Sequence, residues 1–488
     1  MNKRKVSKNL IITFCIYAFL LVANIFVSRI VLASYGSEVN GLLSSVNQVF
    51  AYVALLEAGI GTATITAFYK PLADADKEGV SQIYAASIAY YRRVLKWYIL
   101  CAVAVSFLWP FMLNTEIGYW TIFGVVFIQG VSNALTFYFV STTTNYLLAS
   151  GKNYINVYVH AAITILTYLA KAIISLLGGH ILVITLSLLA INVLKCGFYW
   201  LYKKIKCREI VIQLPINKNL LKQRNSFLVH EISGCIFNAT DLILISIFCD
   251  LKVASVYSVY SMVLNAISNI IGQVFNSTTY ILGDAYSKKE QYYRIHDRFN
   301  TIYIAIVFCL YTITYLLLYP FVGIYTKGIE DVAYMDKYLP LLFVGVQLLS
   351  SCRIVDNMLI KIALHAKQTI GRTIAEATIN LTLSLLLVNI IGIYGVLIGT
   401  IIALLYRTND IIIYANRKLL GRSPLKAYKL YIINFLIFVL FLFINIFMPI
   451  SANSYGELLI KAIGVCFVVA TIYLIVNMIF FKKDIKGN

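Results

Sequence analysis

The chain has 488 residues, of which 60% are hydrophobic and only 13% charged, and its mean hydropathy is +0.81. Soluble domains average about 45–50% apolar and about 25% charged residues, so this composition excludes an ordinary soluble protein and indicates many membrane spans. A net charge of +20 would suggest nucleic-acid binding in a soluble protein, but in a membrane protein the meaning depends on where the charges fall.

Fourteen segments contain the roughly 20 apolar residues that a helix needs to cross a bilayer. The first follows the basic stretch MNKRKVSKN; it is too long for a signal peptide and no small-residue cleavage site follows it, so we interpret it as an uncleaved span. The predicted spans lie near 10–33, 41–68, 93–114, 118–148, 154–178, 180–202, 226–249, 253–282, 299–323, 338–363, 373–391, 393–415, 431–450 and 456–481.

The basic residues test this segmentation. Of the 41 lysines and arginines, 32 fall on the tails and connections that share a side with both termini, and only four fall on the opposite side. Five lie within spans. Because basic loops stay in the cytoplasm, both termini are predicted to be cytoplasmic. The excess of positive charge is explained by topology and by anionic lipid headgroups, and no nucleic acid is expected as a partner.

The two halves of the chain resemble each other at a nearly constant offset. LWPF at 108–111 recurs as LYPF at 318–321, and Tyr199 coincides with Tyr414 when the offset is 215. Six helices repeated in the same orientation form a parallel repeat, which is typical of transporters. The sequence therefore predicts an all-α membrane protein with a lobe at 1–202, a cytoplasmic linker at 203–225, a second six-helix lobe at 226–416, and two extra helices with a tail at 417–488.

Charged residues inside the predicted spans are the most informative signal. An ionisable group in lipid costs several kcal/mol unless it faces a partner or a wet cavity. Arg29, Glu57, Lys171 and Asp241 have no charged neighbour one helical turn away, so they are functional candidates.

Other intramembrane charges have a simpler interpretation available. Arg353 and Asp356 are three residues apart, as are Arg407 and Asp410, so each pair shares a helix face and either neutralises itself or has a function. The remaining charges lie near helix ends, where long side chains reach the interface: Lys195, Glu231 and Glu376.

Motifs for enzymatic chemistry are absent from the sequence. There is no GxxxxGK[ST] loop for ATP, and the five histidines have no metal-ligand spacing. The nine cysteines include no CxxC pair, and reduced thiols are expected. The chain is predicted not to be an enzyme, and no cofactor or metal is expected. Most of the 36 tyrosines are expected at the membrane interfaces, with a few available to stack on sugar rings.

Three stretches resemble a known family. The stretch at 24–72, with SRIVLASYGSEVNGLLSSVNQVFAYVALLEAGIGTATITAFYKPLAD, resembles the first helices of bacterial polysaccharide flippases that export O-antigen and capsule repeat units. LLASGKNYINVY at 147–158 and TDLILISIFCDLKVASVYSV at 240–259 resemble two helix connections of that family. These flippases belong to the multidrug/oligosaccharidyl-lipid/polysaccharide exporter superfamily.

The resemblance implies two lobes around a central cavity that opens alternately to each side of the bacterial cytoplasmic membrane. It implies a substrate made of an oligosaccharide on a polyisoprenyl pyrophosphate, with membrane lipids and other polysaccharide-assembly proteins as partners. Substrate binding would then fall to the basic residues Arg29, Lys171 and Arg353. Ion coupling or charge pairing would fall to the acidic residues Glu57, Asp241 and Asp356. The two extra helices are similar to those of lipid II flippases.

Three alternatives remain at this point. The first is a cation-coupled drug or metabolite antiporter of the same superfamily. The second is a membrane glycosyltransferase or polymerase, which the short external loops disfavour. The third is a scaffold subunit, which would leave the isolated intramembrane charges unexplained.

Overall fold

The computed structural model describes residues 3–57, 59–208, 210, 239–288, 292–363 and 365–481. Within these ranges the regular elements are all helical, and they form two compact units, Met1–Ser255 and Val256–Asn488. The predicted all-α class is confirmed. Most of the predicted linker at 203–225 and the interfacial Glu231 lie outside the described residues, so the predicted domain boundaries stay predictions.

The helices of the first unit alternate between long spans and shorter pieces. They are α1 (Lys3–Val53), a 3₁₀ turn (Ala54–Glu57), α2 (Ile60–Ala73), α3 (Lys77–Met112), α4 (Tyr119–Phe139), α5 (Ser141–Ala149), α6 (Asn153–Leu176), α7 (Ile181–Lys206), α8 (Ala239–Phe248) and the first turn of α9 (Leu251–Lys288).

The second unit contains the remainder of α9 and the helices that follow it. They are α10 (Tyr292–Tyr325), α11 (Leu339–Cys352), α12 (Ile354–Ile362), a 3₁₀ turn (Ala366–Thr369), α13 (Ile370–Ile391), α14 (Ile393–Tyr414), a π turn (Ala415–Leu419), α15 (Leu425–Phe447) and α16 (Tyr455–Phe480).

Twelve segments of the described residues are long and apolar enough to cross a membrane. The first of them, Cys15–Glu57, contains the predicted span 10–33 and most of the span 41–68. Every other predicted span except 226–249 coincides with one of these segments. That exception is represented by the short apolar helix α8, and the rest of it lies outside the described residues.

Gly36 divides α1 into two legs. Its φ of 77° lies in the left-handed region that favours glycine. The first leg runs parallel to α6: the rings of Tyr17 and His160 are 6.2 Å apart near its start, and the Tyr35 hydroxyl donates to the Gly179 carbonyl near its end. The predicted polar turn between the first two spans is therefore present.

The second leg of α1 runs antiparallel to α3. The rings of Phe50 and Tyr98 are 6.4 Å apart, and Thr115, just after α3, donates to Glu38 at the start of the leg. Helices α3 and α6 run in the same direction. The first leg of α1 is parallel to α6 and the second leg is antiparallel to α3, so the chain reverses its direction at Gly36.

Among the spans that the structure describes, three are each divided into two helices. The breaks are at Glu57–Gly59 between α1 and α2, at Val140 between α4 and α5, and at Arg353 between α11 and α12. At Val140 and Arg353 the backbone stays in the right-handed helical region, so these breaks are local distortions, whereas Gly59 at the first break has a φ of 78°. In transporters, interrupted helices form binding sites. Two of the charged candidates, Glu57 and Arg353, lie at these breaks.

The predicted repeat is visible as an equivalent contact in each unit. Tyr199 donates from α7 to Asn156 near the start of α6, at 3.1 Å. Tyr414, its counterpart at the offset of 215, donates from α14 to Gln368 just before α13, at 2.6 Å.

A close backbone approach in the first unit yields a test of the packing. A Cβ built on Gly41 would lie 1.9 Å from the carbonyl oxygen of Leu251, so Gly41→Ala has to push apart α1 and the start of α9. We expect the free energy of unfolding to fall by about 3 kcal/mol, measured as a lower thermal midpoint in detergent.

Gly464→Ala in α16 is the matched control, because nothing lies within 4 Å of a Cβ at that position. Its thermal midpoint should equal or exceed that of the wild type, since alanine favours a helix. Equal midpoints for the two variants would show that the approach of Gly41 to Leu251 is not tight.

Candidate functional site

Glu57 lies at the break between α1 and α2 and accepts a hydrogen bond from a buried tyrosine. The hydroxyl of Tyr91 on α3 donates to Oε1 of Glu57 at 2.7 Å, and Nδ2 of Asn145 on α5 donates to the Tyr91 hydroxyl at 3.3 Å. The tyrosine is fully buried. Through these two hydrogen bonds the Glu57 carboxylate is connected to α3 and α5.

Arg29 and Lys171 lie at the same height on adjacent helices. The two contacts that align the first leg of α1 with α6 place Arg29 within one helical turn of Lys171. Both side chains are half-buried. No hydrogen-bond or ion-pair partner of Lys171 lies among the residues that the structure describes. The structure therefore places two of the three predicted substrate-binding residues at a similar height on adjacent helices.

Basic character continues along α6 and α7. Lys195, which the sequence placed near a helix end, lies close enough to His160 for their charges to interact. His160 lies on α6, closer to the start of the helix than Lys171 does. The face that joins α1, α6 and α7 thus contains several basic groups, and His160 is a member that sequence reasoning missed.

Asp241 lies on α8 and is almost fully buried. A hydrogen bond between Tyr52 and Thr240 joins α8 to the second leg of α1. Since Tyr52 shortly precedes Glu57 and Thr240 directly precedes Asp241, two of the three predicted coupling carboxylates lie on neighbouring elements of the first unit.

The second unit contains a network of five charged side chains. Arg353 at the break between α11 and α12 pairs with Glu376 on α13, which is also 3.6 Å from Arg407 on α14. Arg407 pairs with Asp410 at 2.5 Å, and Asp410 pairs with Arg372 at 2.8 Å. Three arginines and two carboxylates leave one formal positive charge, so the predicted local pair of Arg407 and Asp410 is part of a larger cluster.

Arg353 and Asp356 pair with different helices instead of sharing a face. Arg353 occupies the turn between two helices, so the spacing of three residues does not stack the two side chains. Asp356 is fully buried and lies 3.2 Å from Nε2 of His296 on α10. The neighbouring Asp297 binds Arg422 through two hydrogen bonds of 2.8 and 2.6 Å.

Outside the membrane-spanning helices, Asp336 fixes the start of α11. Partial burial acts to raise the pKa of its carboxyl, but hydrogen bonds from Tyr394 and from the backbone N–H groups of Leu339 and Tyr338 outweigh burial and hold that pKa below its ordinary value. The connection before α11 is thereby anchored at the predicted external side.

Comparisons with solved structures identify the fold. An inward-facing multidrug resistance MATE family transporter of the MOP superfamily matches with a TM-score of 0.67 and 15% identity, over 83% of this chain and 98% of that one. The lipid II flippase MurJ, in an inward closed conformation, matches with a TM-score of 0.69 and 13% identity, over 97% and 99%. An outward-facing MATE transporter matches with a TM-score of 0.61 and 16% identity, over 85% and 95%.

The chain has the fold of these solved transporters and of the lipid II flippase. Two of the matched structures are described as members of the MOP superfamily, which is the superfamily that the sequence resembles. No family model and no curated protein sequence matches the chain.

The residues that sequence reasoning missed are mainly partners. Tyr91, Asn145 and His296 complete the surroundings of Glu57 and Asp356, yet each is an ordinary residue type for a membrane helix. The basic connection around 361–372 carried a signal for one end of the network, Arg372, and the basic connection around 417–429 carried one for Arg422, the partner of Asp297.

Replacing Arg407 tests the buried network. Arg407→Met leaves the carboxylates of Glu376 and Asp410 with one fewer cation in a site where both arginine and glutamate are over nine-tenths buried. We expect a loss of about 3–5 kcal/mol of unfolding free energy, read as a large fall in the thermal midpoint.

Lys461→Met is the control for that experiment. Lys461 pairs with Glu457 four residues earlier on α16, and both side chains are 39% exposed. An exposed pair contributes about 0–1 kcal/mol, so the midpoint should change little. A similar change for both variants would mean that the network contributes no more than a surface pair.

Proposed function

We propose that the protein is a flippase that moves a polyisoprenyl-pyrophosphate-linked oligosaccharide across the bacterial cytoplasmic membrane by alternating access. The observation that carries the proposal is the basic pair Arg29 and Lys171, at one height on adjacent membrane-spanning helices. Two cationic groups in that position match the charge of a pyrophosphate.

The surroundings of Lys171 give the most direct support for an anionic ligand. An ammonium group in hydrocarbon is costly, and the described residues give this one no counter-charge. A wet cavity that admits a pyrophosphate would supply both hydration and the missing negative charge. The isoprenoid tail of such a substrate stays in lipid, so the protein has to shelter only the polar headgroup.

The remaining predicted residues receive proposed roles from their contacts. Arg353 remains a proposed substrate-binding residue, acting through a network that keeps one net positive charge beside a broken helix. Glu57 is the best placed for ion coupling, because protonation or cation binding at a helix break would change how α1, α3 and α5 are held together. Asp241 and Asp356 are further coupling candidates, since both are buried.

The extent of the fold match supports a lipid-linked substrate. The match to the lipid II flippase extends over 97% of the chain, whereas the matches to MATE transporters extend over 83% and 85%. By the predicted orientation, both termini lie in the cytoplasm, where the basic connections meet anionic lipid.

A cation-coupled drug or metabolite antiporter is the second candidate, because MATE transporters share the fold with similar TM-scores. Such a protein would recognise organic cations through carboxylates. The comparisons lend no support to a glycosyltransferase, since the matched structures are described as transporters and a flippase.

Neutralising the basic pair tests the substrate assignment. Arg29→Ala and Lys171→Gln should each abolish surface polysaccharide in a strain whose export depends on this protein, while the protein level in the membrane stays normal. The reason is that each variant removes one of the charges proposed to hold the pyrophosphate. The readouts are immunoblotting of surface polysaccharide and of the protein.

Lys96→Gln is the control, because Lys96 is an exposed lysine in the predicted cytoplasmic part of α3. Export should continue in this variant. Normal export by both Arg29→Ala and Lys171→Gln would contradict the assignment of an anionic headgroup to this pair.

Replacing Glu57 tests ion coupling. Glu57→Gln keeps the size of the side chain but removes its charge, so accumulation of substrate against an imposed proton or sodium gradient should lose its dependence on that gradient. Initial rates in proteoliposomes with and without the gradient provide the measurement. A gradient response equal to that of the wild type would assign Glu57 a structural role at the helix break.

A further inference from the structure

A cavity of about 330 Å³ lies in the first unit between the second leg of α1, α3 and α4. It lies near the middle of α3, well inside the membrane-spanning part of that helix. Nine residues line it: Asn47, Phe50, Ala51, Ala54, Tyr98, Gln129, Asn133, Thr136 and Phe137. None of them is among the charged residues discussed above, so the cavity is a separate feature.

The lining comes from two helix faces with regular spacing. On α1 the lining positions 47, 50 and 51 fall on one face, which position 54 continues at the start of the 3₁₀ turn, and on α4 the positions 129, 133, 136 and 137 also fall on one face. Amide and hydroxyl groups alternate with aromatic rings and small alanines, and no lining residue carries a charge at neutral pH. Ligand pockets combine an apolar wall with a few polar groups in this way.

Several hydrogen-bonding groups of the cavity are unused. The Tyr98 side chain is 1% exposed, and its hydroxyl makes no well-formed hydrogen bond to a described residue; the Asn133 amide is the polar group beside it. Asn133 has no other hydrogen-bond partner among the described residues. Gln129 reaches Asn47 only at 3.5 Å, longer than a well-formed bond. A buried unpaired hydroxyl is unfavourable, so a ligand hydroxyl that pairs with it gains affinity.

Aromatic rings form the apolar part of the wall. The rings of Tyr98 and Phe137 are 4.6 Å apart at 68°, and Phe50 lies against the other side of Tyr98. A sugar ring presents C–H faces to such rings and hydroxyl groups to the amides around them.

The second unit contains an equivalent arrangement but differs in the hydrogen bonding of its tyrosine hydroxyl. Gln347 donates to Asn265 at 3.4 Å, with the same separation of 82 residues as between Gln129 and Asn47. There, however, the hydroxyl of Tyr311 is hydrogen-bonded to Ser351 at 3.1 Å. Asn133 and Ser351 occupy equivalent positions at the offset of 218 that relates the two amide pairs. Ser351 forms a regular hydrogen bond with its tyrosine, whereas Asn133 lies beside Tyr98 without a well-formed one, so the Tyr98 hydroxyl can accept a stronger partner.

We infer that this cavity, which we call the amide pocket, binds one neutral sugar ring of the lipid-linked substrate. The inference rests on the proposed function and adds the site of the sugar to that of the pyrophosphate. The volume of the amide pocket is at the lower end of the range of about 300–1,000 Å³ for ligand pockets. A pocket of this size matches a single sugar ring rather than an extended chain. An acidic sugar is disfavoured because the pocket offers its carboxylate no cation.

The test compares three short-chain probes on the purified full-length protein: citronellyl diphosphate, its N-acetylglucosamine conjugate and its glucuronic acid conjugate. We expect the neutral conjugate to bind at least about tenfold more tightly than the bare diphosphate, and the acidic conjugate to bind more weakly than the neutral one. Asn133→Ala should remove most of the gain from the neutral sugar and leave the affinity for the bare diphosphate unchanged.

Asn389→Ala controls for loss of an amide, because Asn389 is exposed near the end of α13 and should affect no probe. If the protein binds neither diphosphate nor conjugate, the proposed function fails and this inference fails with it. If it binds the bare diphosphate and the neutral conjugate equally, or if Asn133→Ala weakens both equally, only the amide pocket is overturned. If the acidic conjugate binds as tightly as the neutral conjugate or more tightly, the preference of the amide pocket for a neutral ring is overturned.

Tyr98→Phe separates binding from folding. The lost hydroxyl has no hydrogen bond within the described protein, so the thermal midpoint should be unchanged while affinity for the neutral conjugate falls about fivefold. Tyr311→Phe removes a hydrogen bond to Ser351, so it should lower the midpoint and leave the affinity unchanged. If Tyr98→Phe leaves the affinity for the neutral conjugate unchanged, its hydroxyl does not contact the sugar.

Discussion

The cost of placing a charge in hydrocarbon is the constraint on which the structure depends. The chain meets it in three ways. The second unit gathers arginines and carboxylates into one buried network around Glu376 and Arg407. Glu57 is held by the hydroxyl of Tyr91, a neutral donor. Lys171 has no partner among the described residues, and this is why we propose that it binds the substrate.

Interrupted helices are the elements through which we propose that these charges act in transport. A continuous helix satisfies its own backbone and has little reason to change, whereas a break leaves groups that other elements have to hold. Glu57 and Arg353 lie at two of the three breaks, so changes in their pairing act where the helices are least constrained. A substrate or an ion that competes for these side chains would in this way alter the packing of helices around them.

The sequence predicted the spans well because hydropathy and loop charge act over whole segments. It also predicted the turn at Gly36, where a polar stretch contains a glycine. The breaks at Val140 and Arg353 were not predicted, because neither position has a glycine or proline to signal them. Arg353 and Asp356 are paired with residues on other helices. These pairs depend on packing between residues far apart in the chain, so the sequence did not predict them. The lining of the amide pocket escaped prediction for the same reason: ordinary amides and aromatic residues from three helices acquire meaning only when they meet.

The most direct measurement of the central claim follows a lipid-linked oligosaccharide across a membrane. Purified protein is placed in liposomes whose inner leaflet contains a fluorescent polyisoprenyl-pyrophosphate oligosaccharide, and an external glycosidase reports what reaches the outer leaflet. The account predicts that protein-containing liposomes expose the substrate much faster than empty ones. Substrate that stays protected, in liposomes that do transport an organic cation such as ethidium, would contradict the account and favour the antiporter.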